Sequence, residues 1–369
     1  MAKKKESGSV VLNIFVSILC LIIGFACGFL YPSYAKLPES DKYVSGELKI
    51  HFFELGNKYT GDSFLIQVGE TEILVDGGSE TSSLDAIYNY VSSVLYDDVI
   101  EYAIITHAHE DHIAAFGGTA NGESLFDKFT FENIIDFPQT ESTSQIYGRY
   151  LSERNAEIAA GANHFSALDC SKNQNGATRF FDLGNGVQLE ILYNYYYDHD
   201  VDHDADKENE YSVCFQINQG DRHFIFTGDL EEEGEIKLTQ YNSLSPVVLF
   251  KAGHHGSNTS NSEEFLAVIQ PDIVVVPCVA GSPQHTDENK NMFPTQKTIN
   301  AIAKYTTQVY APSQAIVSTS GGQTTYTAQS LNGNIVVISD KNEPRVECSV
   351  SNMILKETDW FKANRNWPT

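Results

Sequence analysis

Three imidazoles and the Asp111 carboxylate fall within six residues in His107-Ala108-His109-Glu110-Asp111-His112, one residue after the apolar run Tyr102-Ala103-Ile104-Ile105. Neutral imidazole nitrogen and carboxylate oxygen are the donors that borderline divalent ions such as zinc prefer, and a chain leaving a strand can turn several of them toward one point. A lone histidine is ordinarily a satisfied surface or core residue, whereas His-x-His-x-Asp-His after an apolar strand points to a metal centre. Downstream, Phe226-Thr227-Gly228-Asp229 and Gly253-His254-His255-Gly256-Ser257 add another carboxylate and two more imidazoles. The chemistry expected of such a set is hydrolysis, because a bound metal lowers the pKa of water from 15.7 toward roughly 7.

The histidine motif resembles the signature of the metallo-β-lactamase superfamily, hydrolases built as a four-layer αββα sandwich around one or two metals. Phe52-Phe53-Glu54-Leu55-Gly56, Gly61-Asp62-Ser63-Phe64-Leu65-Ile66 and Ile73-Leu74-Val75-Asp76-Gly77-Gly78 are similar to the opening hairpins of the branch containing the extracellular domain of the competence protein ComEC. The resemblance covers about residues 46 to 340. It implies that His107 and His109 hold a first metal, that Asp111 and His112 hold a second, that Asp229 bridges them, and that His254 completes the second sphere. One or two divalent ions are expected, zinc first, with manganese or iron as alternatives.

Most members of the superfamily carry another histidine about 20 residues before the bridging aspartate, where this chain has Asn209-Glu210-Tyr211-Ser212. Asn209 as a weak oxygen ligand and a water in that place are both open readings. Neighbouring side chains on a loop do not easily face one ion, so His254 is expected as ligand. His255 is expected to touch substrate, as a donor to a phosphoryl oxygen or an acid for the leaving group, with the reverse order as the alternative. Asp76 is either a carboxylate orienting a ligand imidazole or a turn residue before two glycines. His164 is a less expected neighbour of the metals, since nothing local places it.

These residues need elements to carry them. Alternating or wholly apolar runs bounded by glycine turns predict strands over Leu48 to Phe53, Ser63 to Val68 and Glu72 to Val75. Ile87, Tyr90, Val91 and Val94 lie at helical spacing within Ser83 to Leu95, and a strand ends at Ile105. Further strands are expected over Asn133 to Phe137, Val187 to Leu192, Ser212 to Ile217, His223 to Phe226 and Asp272 to Pro277. Helices are expected near Tyr147 to Ala160, over Ser262 to Ile269 behind a serine cap, and over Thr295 to Lys304 capped by Thr295 or Pro294. Polar strands from Ala315 to Asp340 close the domain.

Lys3-Lys4-Lys5 precede an apolar run from Val10 to Tyr31, long enough as a helix to span a bilayer. The expected organisation is a basic tail at 1–9, a transmembrane anchor at 10–31, a linker at 32–45, a hydrolase domain at 46–345 and a C-terminal extension at 346–369. Basic residues before the run place the domain outside the cytoplasm. A cleaved signal peptide, with Ser33-Tyr34-Ala35 at the cleavage site, is the alternative and makes the protein secreted. Removing Lys3, Lys4, Lys5 and Glu6 from the totals of 24 basic and 49 acidic residues leaves 21 and 48, a formal charge near −27. A field of that sign repels nucleic acid over roughly 8 to 10 Å while a local metal can still bind one phosphate. Cys170, Cys214, Cys278 and Cys348 match no zinc knuckle or redox pair, and no disulfide is expected.

The expected activity is therefore that of a membrane-anchored hydrolase acting on a phosphate ester, with phosphodiesters favoured by the ComEC-like motifs. A phosphorylcholine or teichoic-acid headgroup esterase and a non-catalytic metal-binding surface module are the alternatives. The run Tyr193-Asn194-Tyr195-Tyr196-Tyr197 beside the acidic stretch Asp198 to Asp206 offers an aromatic wall for a quaternary amine, or simply a strand end beside a solvated loop.

Overall fold

Successive strand residues point to opposite faces, and the second half of the chain uses both. In the strand Arg222–Phe226, Phe224 and Phe226 enter one core while Ile225 enters another; Leu249 and Phe250, and Val275 and Val274, repeat the division. A strand apolar on both faces requires a layer on each side, which is the requirement of a sandwich covered by helices. The computed structural model describes residues 46–368 other than 121, 204, 321 and 322.

Two large mixed sheets form the interior. The first has eight strands, in the spatial order Arg345–Cys348, Ile335–Ser339, Leu48–Phe52, Phe64–Val68, Thr71–Val75, Val99–Ile105, Thr130–Asp136 and Asn163–Ser166. The second has seven, in the order Gln308–Tyr310, Ile273–Val275, Leu249–Lys251, Arg222–Phe226, Phe215–Gln219, Val187–Ile191 and Phe180–Asp182. Their inner faces meet in one core, where the rings of Phe64 and Phe226 stack with centroids 5.0 Å apart. Helices Ser83–Val94, Glu110–Gly117 and Gln145–Ala160 bring Ile87, Val91, Ile113, Phe116 and Tyr150 into the first core. Glu263–Ile269, Gln296–Ile302 and Asp359–Asn364 cover the second sheet with Phe265, Ile299 and Phe361. Ser262 and Thr295 cap their helices by accepting from Phe265 N–H and Thr298 N–H, as their positions predict.

The differences from expectation are local. The histidine segment is a turn only as far as His109; a helix begins at Glu110, so Asp111 and His112 sit in its first turn. The strand expected from Ser212 begins at Phe215 because the preceding residues serve other partners: Val213 N–H bonds Thr106 O and Ser212 turns toward His107. Residues beyond 345 continue the same compact unit, one strand joining the first sheet and one helix packing on the second. The run expected to span a membrane, 10–31, lies outside the described residues, among which no helix is long and apolar enough to cross one. The four cysteines beyond it are free thiols, with Cys170, Cys214 and Cys278 buried.

Candidate metal centre

Each candidate ligand follows the carboxyl end of a strand, the edge where open α/β sheets gather ligands. Asp76 follows Thr71–Val75, His107 follows Val99–Ile105, Asp229 follows Arg222–Phe226, and His254 and His255 follow Leu249–Lys251. The first two strands belong to one sheet and the last two to the other, so the seam of the sandwich brings the donors together.

Asp229 is the centre of the arrangement. Its Oδ2 lies 3.2 Å from His112 Nε2, 3.2 Å from His255 Nε2 and 4.0 Å from His254 Nε2. His255 Nε2 is also 3.4 Å from Asp111 Oδ2. His107, His112 and Asp229 converge as one set of donors, and Asp111, His112 and His255 as another. His107 Nε2 faces His109 Nδ1 at 3.1 Å, while His109 Nε2 reaches outward to Asp206 Oδ2 at 3.5 Å. His107, His112, Asp229 and His255 are buried; Asp111 and His109 are partly exposed.

The residues fit a divalent cation. Among the buried side-chain atoms left without an aligned hydrogen bond are His112 Nε2, His255 Nε2 and Asp229 Oδ1, three donor atoms of the same small space. Unsatisfied polar atoms in a protein interior are expensive, and a cluster of imidazole nitrogens and carboxylate oxygens is what borderline cations stabilise. Burial alone lowers His112, but Asp229 and Asp76 outweigh it and push the ring up to about 10. A proton and a cation thus compete for the nitrogen facing Asp229. Burial also works to raise Asp229 and Asp111, yet the surrounding imidazoles hold both carboxyls below their ordinary range.

Supporting bonds fix the ring orientations. Asp76 performs the orienting role and is a turn residue as well, with a positive φ of 56°. Its Oδ2 accepts from His112 Nδ1 at 2.8 Å and from the Thr106 hydroxyl at 2.8 Å, and its Oδ1 accepts from Thr106 N–H at 2.8 Å. Asp76→Ala is expected to lower metal affinity about 10- to 100-fold, the usual cost of removing such a partner, as measured by competition with a chromogenic chelator. An affinity unchanged by the substitution contradicts the role.

The two adjacent histidines take places opposite to those expected. His255 is buried, donating from Nδ1 to Pro277 O at 3.0 Å and directing Nε2 at Asp229 and Asp111. His254 turns Nδ1 to Thr259 Oγ1 at 3.1 Å and lies along a cleft open to solvent. The cause is the backbone: both residues are left-handed, with φ of 46° and 52°, which swings consecutive side chains apart. The Asn261 side chain holds the turn by accepting from Gly253 N–H at 3.0 Å and donating to Gly253 O at 2.9 Å. Glu235 in turn accepts from the backbone of Asn261 and Ser262 at 2.8 and 2.7 Å, and its burial pushes the carboxyl up to about 7.

Asn209 is buried, donates to Glu231 Oε1 at 3.1 Å, and has an Oδ1 without a hydrogen bond. His164 pairs with Asp136 Oδ1 at 2.8 Å, in a cluster with Arg154 and Tyr150. The tyrosine run does not leave an open cage, since Lys237 Nζ already sits 4.6 Å over the Tyr195 ring and His199 stacks beside it. Two buried charges had no role in the sequence reading. Asp62 and Lys251 form an ion pair beneath the site, Lys251 also donating to Gly228 O at 2.9 Å and lying 3.5 Å from Asp229 Oδ1. The available signal was a single lysine in the apolar run Val247-Val248-Leu249-Phe250-Lys251-Ala252, just before the histidine pair. Asp62 reaches the site because Gly61 has no side chain: a Cβ there meets the Ser79 Cα at 2.5 Å and Asp111 O at 2.7 Å.

The model of the metallo-beta-lactamase superfamily matches residues 56–121 and 171–280, the stretches that contain nearly every residue of this centre. The chain carries a metallo-beta-lactamase superfamily domain. Its fold and clustered donors support a metal-dependent hydrolase in the general sense. ComE operon protein 3 of Bacillus subtilis strain 168 is 24% identical over 215 residues, which cover 58% of this chain and 24% of that protein. Recombination protein 2 of Haemophilus influenzae is 30% identical over 69 residues, covering 19% of this chain and 8% of its own length. The chain thus spans a quarter or less of these curated relatives. Among solved structures, the metallo-beta-lactamase fold protein YhfI of B. subtilis aligns with 71% of this chain and 95% of its own, at 13% identity and a TM-score of 0.38. CmlA, a diiron beta-hydroxylase from Streptomyces venezuelae, aligns with 70% and 48%, at 13% identity and a TM-score of 0.34.

Proposed function

We propose that this superfamily domain hydrolyses phosphodiester bonds, with His107, His109, Asp111, His112, Asp229 and His255 as metal ligands and His254 facing substrate. The observation that carries the reading is the meeting of His112 Nε2, His255 Nε2 and Asp229 Oδ2 at 3.2 Å, beside a cleft open to solvent. A divalent ion held by these donors would supply ionised water and polarise the phosphoryl group. The protein's own part is positional. Asp76 and Thr106 hold His112, Pro277 O holds His255, and Thr259 Oγ1 holds His254 Nδ1, leaving Nε2 4.0 Å from Asp229 Oδ2 at the edge of the cleft. Burial lowers His254 to about 4, against the pull of Asp229, so at neutral pH it presents a neutral imidazole.

The motifs shared with the ComEC-like branch favour a diester, and the distant likeness to ComE operon protein 3 lends that branch support. Long polyanions are disfavoured as substrates. The formal charge beyond the apolar run is near −27, and among the described residues no lysine or arginine lines the cleft. A choline headgroup is disfavoured at Tyr195, whose face Lys237 covers. We also place the domain outside the cytoplasm, anchored by the apolar run at 10–31, because the basic residues precede that run. Protease protection on intact cells tests this placement.

The discriminating assay compares bis-p-nitrophenyl phosphate with p-nitrophenyl phosphate, p-nitrophenylphosphorylcholine and nitrocefin, on protein whose metal content is measured. Preferential diester turnover is expected, at one metal ion per chain or more. Faster hydrolysis of the choline ester or of nitrocefin replaces the reading, and an inert metal-loaded protein marks a binding module.

A further inference from the structure

The far wall of the cleft is held by a side chain from the end of the chain. Asn291 and Phe293 line that wall, and the Phe293 ring centroid lies 5.8 Å from His254, 6.2 Å from His255 and 5.6 Å from His285. Residues 288–292 are mostly exposed and contain only one short turn, so local structure does little to fix them. Arg365, only 5% exposed, supplies the missing support. Its Nε donates to Pro294 O at 2.8 Å; Nη2 donates to Asn289 O at 2.8 Å and Met292 O at 2.6 Å; Nη1 donates to Asn289 Oδ1 and Asn364 O, each at 2.7 Å. A planar guanidinium presents its five donors in one rigid fork, which suits a task of pinning several carbonyls at once.

Neighbouring contacts tie the same two segments. Asn289 Nδ2 donates to Asn364 Oδ1 at 2.7 Å, and Gln296 and Asn366 exchange bonds of 2.7 and 2.9 Å. Gly281 N–H bonds Phe293 O at 2.8 Å, and a Cβ on Gly281 meets Trp360 Nε1 at 2.2 Å, so the wall is packed against the final helix from its other side too. The candidate metal ligands have separate supports in Asp76, Thr106, Ser212 and Asn261, and Arg365 touches none of them.

We propose that Arg365 is a positioning residue of the cleft: by tying residues 289–294 to the C-terminal helix it sets how close Phe293 and Asn291 stand to His254, and thereby the affinity for substrate. The proposal rests on the phosphodiesterase reading. The test compares full-length, metal-loaded wild type and Arg365→Gln in three measurements: metal content, hydrogen exchange at the amides of residues 289–293, and steady-state cleavage of bis-p-nitrophenyl phosphate. Metal content is expected to stay the same and exchange to accelerate. KM should rise about tenfold or more with kcat within about threefold, because the loss falls on binding geometry. Arg365→Lys should recover only part of the affinity, having a point charge in place of the fork. An unchanged KM, or unchanged exchange, overturns the proposal. If Arg365→Gln does not fold, Asn289→Ala removes two of the ties and is expected to give the same changes, smaller; no change there overturns it equally. Wild-type protein that cleaves no diester sinks the underlying reading, whereas an active wild type with an indifferent Arg365→Gln sinks this proposal alone.

Discussion

His255→Ala is expected to release metal and to abolish measurable turnover, while His254→Ala keeps its metal and loses activity in kcat or KM alone. The asymmetry follows from the left-handed turn, which buries one imidazole against Asp229 and Asp111 and leaves the other along the cleft. Loss of a group that only orients a ligand costs about 10- to 100-fold in metal affinity, and loss of the ligand itself must cost more. His254 faces reactants, and its removal is expected to cost about 100-fold in kcat if it exchanges a proton with them. Elemental analysis of the two dialysed variants separates the roles. Full metal content in His255→Ala, or metal loss confined to His254→Ala, reverses the assignment.

Lys251→Met is expected to destabilise the fold by about 3–5 kcal/mol, the cost of leaving a buried carboxylate without its counter-ion. Lys251 is 1% exposed and Asp62 is fully buried, so water cannot replace either partner. Burial works to lower the Lys251 ammonium and to raise the Asp62 carboxyl, and each group's charge is maintained by the other and by Asp229 or His255. The double substitution Asp62→Asn with Lys251→Met should recover part of the loss, since it removes both charges together. Urea unfolding of the three variants tests the pair; a loss below about 1 kcal/mol in Lys251→Met rules out a strong buried ion pair.

The parts of this protein that were legible in its sequence are those that local patterning dictates. Alternation and glycine turns located Phe64–Val68 and Thr71–Val75, and caps at Ser262 and Thr295 located two helices, because these signals act within a few residues. The convergence of His107, His112 and Asp229 was legible only through the resemblance of the histidine and Asp229 motifs to the metallo-β-lactamase superfamily, since no local pattern joins positions so far apart. The order of His254 and His255 was not, since it depends on two backbone angles that non-glycine residues seldom adopt and that Asn261 and Glu235 enforce from a distance. Short strands such as Leu249–Lys251 and Gln308–Tyr310 escaped notice because three residues carry no period. The Asp62 and Lys251 pair, 189 positions apart, and the reach of Arg365 to Asn289 are tertiary contacts with no local trace.

The division of donors between the sheets has a consequence for how the molecule matures. Neither half of the chain possesses a complete set of candidate ligands: His107 and His112 follow a strand of the first sheet, and Asp229 and His255 follow strands of the second. A nascent chain would therefore offer only partial, weak chelation until its halves have docked, and a cation held by both sets would act as a rivet across the joint. Capture of a metal would report completed assembly, and its free energy would be added to the docked state alone.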